Sequence, residues 1–259
     1  MDILKINREA WDRQVDENDR WTIPVSPEEV AKARAGEWSV ALTPIKPVPR
    51  DWFPAEMNGV KILCLASGGG QQGPLLSAAG ADVTVYDNSP KQLGRDQTVA
   101  ERDGLSLKTV QGDMADLSVF ADGSFDLIFH PCSNCFAENI LPVWKEAFRV
   151  LSPGASLLAG VCNPVRFIFD EAAQDDRGEL VVRHKIPYSD QTHLTQAERE
   201  KAMQTRPLEF GHTLEDQLGG QLKAGFHLVE LFEDRFDESD LISRYVDTFL
   251  ATRAIKPDR

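Results

Sequence analysis

Gly68, Gly70 and Gly73 stand at G-x-G-x-x-G spacing in the stretch Ser67-Gly68-Gly69-Gly70-Gln71-Gln72-Gly73. Residues without side chains let a backbone come very close to a ligand. An apolar run, residues 60–66, precedes the loop. Residues 75–79 after it have helical spacing, and Gly80 suits the end of that helix. Asp82-Val83-Thr84-Val85-Tyr86-Asp87 then reads as a second strand with a carboxylate at its tip. Such a βαβ unit grips a ribose-bearing cofactor: the loop and helix N-terminus meet its polar part, and the carboxylate accepts bonds from sugar hydroxyls. The glycine spacing also matches the dinucleotide fingerprint, and a tight turn in any α/β protein satisfies it too. The loop alone does not choose.

The other candidate chemistry is sulfur. There are four cysteines. Cys64 and Cys162 lie in or beside apolar runs and read as small core residues. Cys132 and Cys135 form Cys-x-x-Cys within His130-Pro131-Cys132-Ser133-Asn134-Cys135. A zinc deaminase needs an upstream His-x-Glu, and no histidine precedes His130. A structural zinc site needs a second ligand pair of similar spacing, and none is visible. A redox pair stays open. No cluster of carboxylates and histidines demands a metal.

The elements that must position these groups alternate. Asn88-Ser89-Pro90 caps a helix over about 91–102 that Gly104 closes. Residues 105–111 read as a third strand, followed by Gly112-Asp113-Met114, and residues 124–130 as a fourth. A helix over about 137–150 leads through Leu151-Ser152-Pro153-Gly154 to a fifth strand over 156–161. The rhythm predicts a parallel sheet with helices on both faces. Residues 162–210 break it, with a helix over 166–173, a strand over 179–185 and a helix over 195–203. An insertion leaving the C-terminal end of a strand lands over the ligand crevice, so this one is expected to cap the acceptor side. Thr213 caps a further helix to about Lys223, and strands at 227–232 and 247–254 complete the sheet. Residues 1–58 have no sheet pattern. They hold a short helix over 7–15, a second opened by Ser26-Pro27-Glu28-Glu29, and Trp11, Trp21, Trp38 and Trp52. The expected organisation is an arm or lid over 1–58 and one domain over 59–259 carrying the 162–210 cap.

The formal charge is −13, from 28 basic and 41 acidic residues among 259. That disfavours broad contact with nucleic-acid phosphates. No uninterrupted apolar run approaches membrane-spanning length, and the N-terminal sequence has no signal-peptide core. The chain reads as cytoplasmic, with neither nucleic acid nor membrane as partner. Its oligomeric state is not legible.

With these residues in view, the chain resembles the class I, seven-stranded S-adenosylmethionine-dependent methyltransferases over about residues 58–254. The glycine loop, Asp87, Gly112-Asp113-Met114, Phe125-Asp126-Leu127-Ile128, Phe148-Arg149-Val150-Leu151-Ser152-Pro153-Gly154 and Ala224-Gly225-Phe226 coincide in order and spacing with that family's landmarks. The loop LASGGGQQGP and the segment PVPRDWFP look like a bacterial branch of unassigned substrate. The resemblance implies a three-layer α/β sandwich with a mostly parallel seven-stranded sheet and an antiparallel last strand. It implies S-adenosylmethionine as cofactor, S-adenosylhomocysteine as product, and a small-molecule acceptor. It also implies site residues. Ala66, Ser67, Gly68 and Gly70 would line the methionine part, Gln71 would reach its carboxylate, and Asp87 would hold both ribose hydroxyls. Asn88 would flank the adenine, Asp113 would accept its amino group, and Met114 would pack on the ring. The family usually has an acid where Cys64 stands and glycine where Ala66 stands; Asn134 and the loop after strand four, including His130, are the candidates to replace that acid. Amino-methylating enzymes of nucleic acids often carry Asn/Asp-Pro-Pro-aromatic after strand four, where this chain has His130-Pro131-Cys132-Ser133.

Methyl transfer from a sulfonium is an in-line displacement in which the protein mainly aligns the reactants. Where the acceptor must lose a proton, His130 and His212 are the candidate bases, and Tyr188 is a candidate on the acceptor side. An NAD-linked oxidoreductase is the alternative enzyme, but it leaves the Gly-Asp-Met and Arg-Val-Leu-Ser-Pro-Gly landmarks unaccounted for. A cofactor-binding protein without turnover is the alternative from another class. An open, polar acceptor cavity separates it from an enzyme.

Overall fold

The computed structural model describes residues 1–258. Helix α1, Ile3–Glu17, starts where the Asp2 carboxylate accepts the Lys5 N–H, four residues before the expected start. Helix α2, Pro27–Arg34, opens with a full capping box between Ser26 and Glu29. Strand β1, Lys61–Leu65, is buried at all but its first residue, as a strand covered on both faces must be. The chain continues through α3 (Gln72–Ala78), β2 (Asp82–Asp87), α4 (Pro90–Asp103), β3 (Leu107–Gln111) and β4 (Phe125–His130). Helix α5 spans Leu141–Val150 and so starts later than expected. Residues 134–136 form a separate 3₁₀ turn, and Pro142 marks the true first turn, where a missing N–H costs nothing. Strand β5, Leu151–Cys162, is longer than expected. Its pairing to β4 jumps from Phe125↔Leu151 to Leu127↔Ser156, so Ser152-Pro153-Gly154 bulges out, with Gly154 at φ +77°.

The insertion differs most from expectation. The helix expected over 166–173 is two pieces: a 3₁₀ turn, Pro164–Phe167, and helix α6, Glu171–Arg177. Asp170 separates them because its side chain caps the second by accepting the Ala173 N–H. The strand expected over 179–185 is a lone bridge, Phe169↔Val182. Glu179 N–H donates to the Ala173 carbonyl of α6, the rest of the segment bonds residues 168–170, and Val182 is left exposed. Short strands β6 (Tyr188–Ser189) and β7 (Phe210–Gly211) pair antiparallel and frame helices α7 (Asp190–His193) and α8 (Gln196–Thr205). After Thr213, whose hydroxyl accepts the Asp216 N–H, a π-turn over Glu215–Gly219 runs into helix α9, Gly220–Ala224. Strands β8 (His227–Asp234) and β9 (Phe249–Ile255) end the fold.

The sheet order is β3-β2-β1-β4-β5-β9-β8, parallel except for β9, which runs antiparallel to both neighbours. One face packs Trp144, Val143 and Ala147 of α5 against Leu63, Ile128 and Leu157. The other face is covered by α3 and α4, and also by residues 40–57, a loop segment that does the work of a helix. Phe53 stacks on Phe129 at 6.3 Å, and Trp52 packs on Phe232 at 5.3 Å. Close approach needs Gly160 in β5: a Cβ there would lie 2.0 Å from the Leu42 carbonyl oxygen. Among the described residues, no helix is long and apolar enough to cross a membrane.

Candidate active site

A cavity of about 1100 Å³ opens at the C-terminal ends of β1 to β5. Its floor is the loop after β1, the tip of β2, and the turns after β3 and β4. Helix α1 and the turn at Arg20-Trp21 form its roof. This is the crevice where open α/β sheets bind ligands.

Eight of the expected residues border it: Ala66, Ser67, Gly68, Gln71, Asp87, Asn88, Asp113 and Met114. Ala66 takes φ +47°, the left-handed region that glycine adopts freely, so alanine here holds a strained turn. A Cβ on Gly68 would fall 3.2 Å from the Asp87 carboxyl and 2.7 Å from Gln92 Cβ. Glycine at 68 therefore lets its own N–H donate to Asp87 Oδ2 at 2.9 Å, while Ser89 N–H donates to Oδ1 at 2.9 Å. Burial pushes the Asp87 carboxyl up, and the Asp12 carboxylate adds to the rise. Asp113 Oδ1 accepts the Ala115 N–H and so braces the turn after β3.

Five expected site residues lie outside the cavity lining, and a sixth lines it in a different role. His130 is fully buried beneath the cavity. Its Nδ1 bonds the Leu65 carbonyl at 2.9 Å, its Nε2 bonds Asn134 at 2.8 Å, and burial pushes its pKa down. With both nitrogens engaged, it ties β4 to β1 and is no base. Asn134 is equally buried, held between His130 and Gln217, so it replaces no cofactor-binding acid. His212 bonds the carbonyls of Ala137 and Asn134 through Nε2, and burial lowers its pKa as well. Tyr188 donates to Asp190 Oδ1 at 2.6 Å and stacks on Phe167; burial pushes its pKa well up. Gly70, at φ +74°, turns the loop against Pro24 and Arg95 instead of lining the cavity. Gln71 borders the cavity, but its amide N–H groups donate to Arg20 and Ile23 carbonyls, leaving only an acceptor, which suits no carboxylate.

The structure adds groups the sequence did not single out. Arg166 pairs with Asp240 at 3.1 Å and lies over the Phe236 ring. Glu209 borders the cavity, and desolvation pushes its pKa up against the pull of Arg206. Cys162 closes on the expected Cys132–Cys135 pair, with Cys132 Sγ 3.2 Å from Cys162 Sγ. No local signal marks any of them, because each comes from the insertion or from a strand pairing distant in sequence.

Beneath the glycine loop lies Asp96 of α4, with no exposed surface. Its Oδ2 accepts the Gly69 N–H at 3.0 Å, and its Oδ1 has no partner among the described residues. Desolvation above all, with Asp87 adding repulsion, raises its pKa from 3.8 to about 8. Between those values the folded state holds a proton that the unfolded chain has released. This group's contribution therefore falls as pH rises from about 4, by about 1.4 kcal/mol per unit, and is lost above about 8. Asp96→Asn should remove that slope. In calorimetric melts the variant should gain over wild type more at pH 8.5 than at pH 6; an equal difference at both would mean Asp96 is ionised throughout.

A family model described as a methyltransferase domain matches residues 63–159. An uncharacterized methyltransferase of Bacillus subtilis (strain 168), YbaJ, is 50% identical over 251 residues, covering 96% of this chain and 97% of that protein. Among solved structures, an S-adenosylmethionine-dependent methyltransferase from Mesorhizobium loti superposes with a TM-score of 0.61 at 19% identity, over 80% of this chain and 94% of its own. One from Methanosarcina mazei gives 0.56 at 18% identity, over 83% and 99%. These two share the fold. A match at half identity along nearly the whole length, joined to the seven-strand order and the crevice above its parallel ends, places the chain in the class I S-adenosylmethionine-dependent methyltransferases.

Proposed function

We propose that this enzyme methylates a small-molecule acceptor held between the floor at Ala66–Asp87 and the wall formed by the insertion. The observation that carries the reading is one cavity that joins Asp87 to residues of α1 and of the insertion. Its volume exceeds the usual range for a single ligand, which leaves room for cofactor and acceptor together.

The residues fit the cofactor. An ionised carboxylate has about four acceptor sites, and Asp87 spends two on backbone N–H groups, leaving two for ribose hydroxyls. Ser67 borders the cavity with a buried hydroxyl that has no partner among the described residues. Asp113 and Met114 border the same cavity and are the residues proposed to meet the adenine. The bound cofactor supplies a methyl on a sulfonium; the protein's part is to orient the acceptor and exclude water. His130 and His212 are committed to backbone carbonyls, so an acceptor that is already nucleophilic suits this site best.

The arm and the 162–210 insertion act as a lid. Asn7 of α1 is 3% exposed and donates to the carbonyls of Phe136 and Leu208, while accepting the Leu208 N–H. Trp11 meets Phe136 edge-on at 5.2 Å. A surface without a broad basic character and a closed roof both favour small substrates over nucleic acid. All four cysteines are free, which suits the reducing cytoplasm of a bacterium.

The test is incubation of a bacterial metabolite extract with the enzyme and methyl-labelled S-adenosylmethionine, read by mass spectrometry. Label should appear in a compound of low mass, and S-adenosylhomocysteine should protect residues 1–22 and 162–210 from proteolysis. Label found only in nucleic acid would overturn the small-molecule reading. Unchanged proteolysis of both segments would overturn the lid.

A further inference from the structure

Three sulfurs meet on the wall of the cavity away from Asp87. Cys132 follows β4, Cys135 lies in the 3₁₀ turn Asn134–Phe136, and Cys162 ends β5. The pairing His130↔Ala159 brings the chain just past both strands to the same level. The three Sγ atoms lie within 4.8 Å of one another, and all three residues border the cavity. Strand spacing of about 4.8 Å sets this wall roughly 14 Å from the β2 tip. Core packing needs no such convergence of thiols, since aromatic side chains such as Phe167 and Phe249 already fill the surroundings. A disulfide would use two of the three and leave the third unexplained.

We propose that Cys132, Cys135 and Cys162 form a three-thiolate site for a soft, thiophilic ion, and that it favours a trivalent ion bearing a lone pair, such as arsenic(III). Thiolate sulfur selects soft ions. One edge of the triangle then bears on the choice. At a metal–sulfur distance of about 2.3 Å, a tetrahedral zinc would spread its sulfurs to about 3.8 Å and take a fourth ligand. The Cys132–Cys162 edge is 3.2 Å. At the same bond length that edge subtends about 88°, well inside the tetrahedral angle. Among the described residues, no histidine, carboxylate or further cysteine joins the group as a fourth ligand. A lone-pair ion needs only three donors and holds them in a closed pyramid.

Binding is an exchange without redox change. Arsenous acid gives up three hydroxyls: three As–O bonds break, three As–S bonds form, and the three thiol protons leave with the hydroxyls as water. The site requires no methyl transfer, so it stands or falls apart from the reading above.

The experiment uses the full-length protein, reduced and stripped with a chelator, titrated separately with arsenite and with zinc under native mass spectrometry. One arsenic per chain should bind with loss of three protons. Cys132→Ser, Cys135→Ser and Cys162→Ser should each weaken it at least tenfold, with circular dichroism showing the fold kept. Absence of an adduct on folded wild-type protein, or an undiminished adduct in the Cys162→Ser variant, would overturn the site. Tighter binding of zinc than of arsenite would overturn the preference for a lone-pair ion. Calorimetry with S-adenosylhomocysteine on the same samples separates the two ideas. Ion binding without cofactor binding counts against the methyltransferase reading alone, and the reverse counts against this site alone.

Discussion

Asp87→Ala lowers the affinity for S-adenosylhomocysteine at least tenfold while the chain stays folded. Hydrogen bonds to a charged group are worth about 1.5–3 kcal/mol each, and a tenfold loss needs only about 1.4 kcal/mol. The two ribose-hydroxyl bonds proposed for Asp87 therefore leave a wide margin. The same substitution strips the Gly68 and Ser89 N–H groups of their acceptor, so the loop loses its brace along with the ligand contact. The fold survives because a desolvated carboxylate is removed; its raised pKa marks burial as a cost in the ionised form. Asp87→Asn separates the two roles. It keeps one oxygen for a backbone N–H but offers the hydroxyls a mismatched partner, so it should lose most of the affinity with less effect on the loop. Calorimetric titration beside a thermal melt reads both. Unchanged affinity in the alanine variant would mean the sugar is bound elsewhere.

Gly160→Ala costs at least about 3 kcal/mol of stability, more than overpacking alone usually does. The atom in the way is backbone: the Leu42 carbonyl oxygen, 2.0 Å from the new Cβ, with the Leu42 carbonyl carbon at 2.8 Å. That oxygen also accepts the Cys132 N–H at 3.0 Å. Moving it aside breaks the bond and leaves a donor unpaired, which adds about 1–3 kcal/mol. Gly94, in the middle of α4, is the control. Nothing lies within 4 Å of its added Cβ, so Gly94→Ala should stabilise by about 0.5–1 kcal/mol through helix propensity. Denaturant melts of both variants give the comparison. A cost below about 1 kcal/mol at Gly160 would show that residues 40–57 do not sit this tightly on β5.

What the sequence made legible was set by local rules. β2 falls on residues 82–87 as expected, because its apolar run ends at a turn signal. Asp87 is placed by that strand alone. The helices opened at Ser26 and Ser89 start where those side chains accept backbone N–H groups. What failed depended on distant partners. Position at a strand tip made His130 look like a base, yet its partner is the carbonyl of Leu65, sixty-five residues away. Cys162 packs in the core as its apolar run suggests, but its approach to Cys132 comes from the register of β4 on β5, which no spacing reveals. The insertion holds short segments whose pairing, such as Tyr188↔Gly211, joins residues too far apart for any periodicity to reveal. Glu209 follows from that pairing and was invisible for the same reason.

Helix α1 touches both halves of the cavity. On the floor side, Asn88 donates to the Leu4 carbonyl and Ser89 to Asp12. On the insertion side, Asn7 bonds Leu208 and Arg13 donates to the Met203 carbonyl. If the cavity takes cofactor and acceptor as proposed, one element would answer to both, and whatever seats it for one would prepare it for the other. Linkage then fixes a relation that holds without turnover. If S-adenosylhomocysteine tightens a second ligand on the insertion wall by some factor, that ligand must tighten S-adenosylhomocysteine by the same factor. On the lid reading the coupling is expected to be positive, so the acceptor can be sought as a compound that strengthens product binding, and such a screen needs no chemistry to occur.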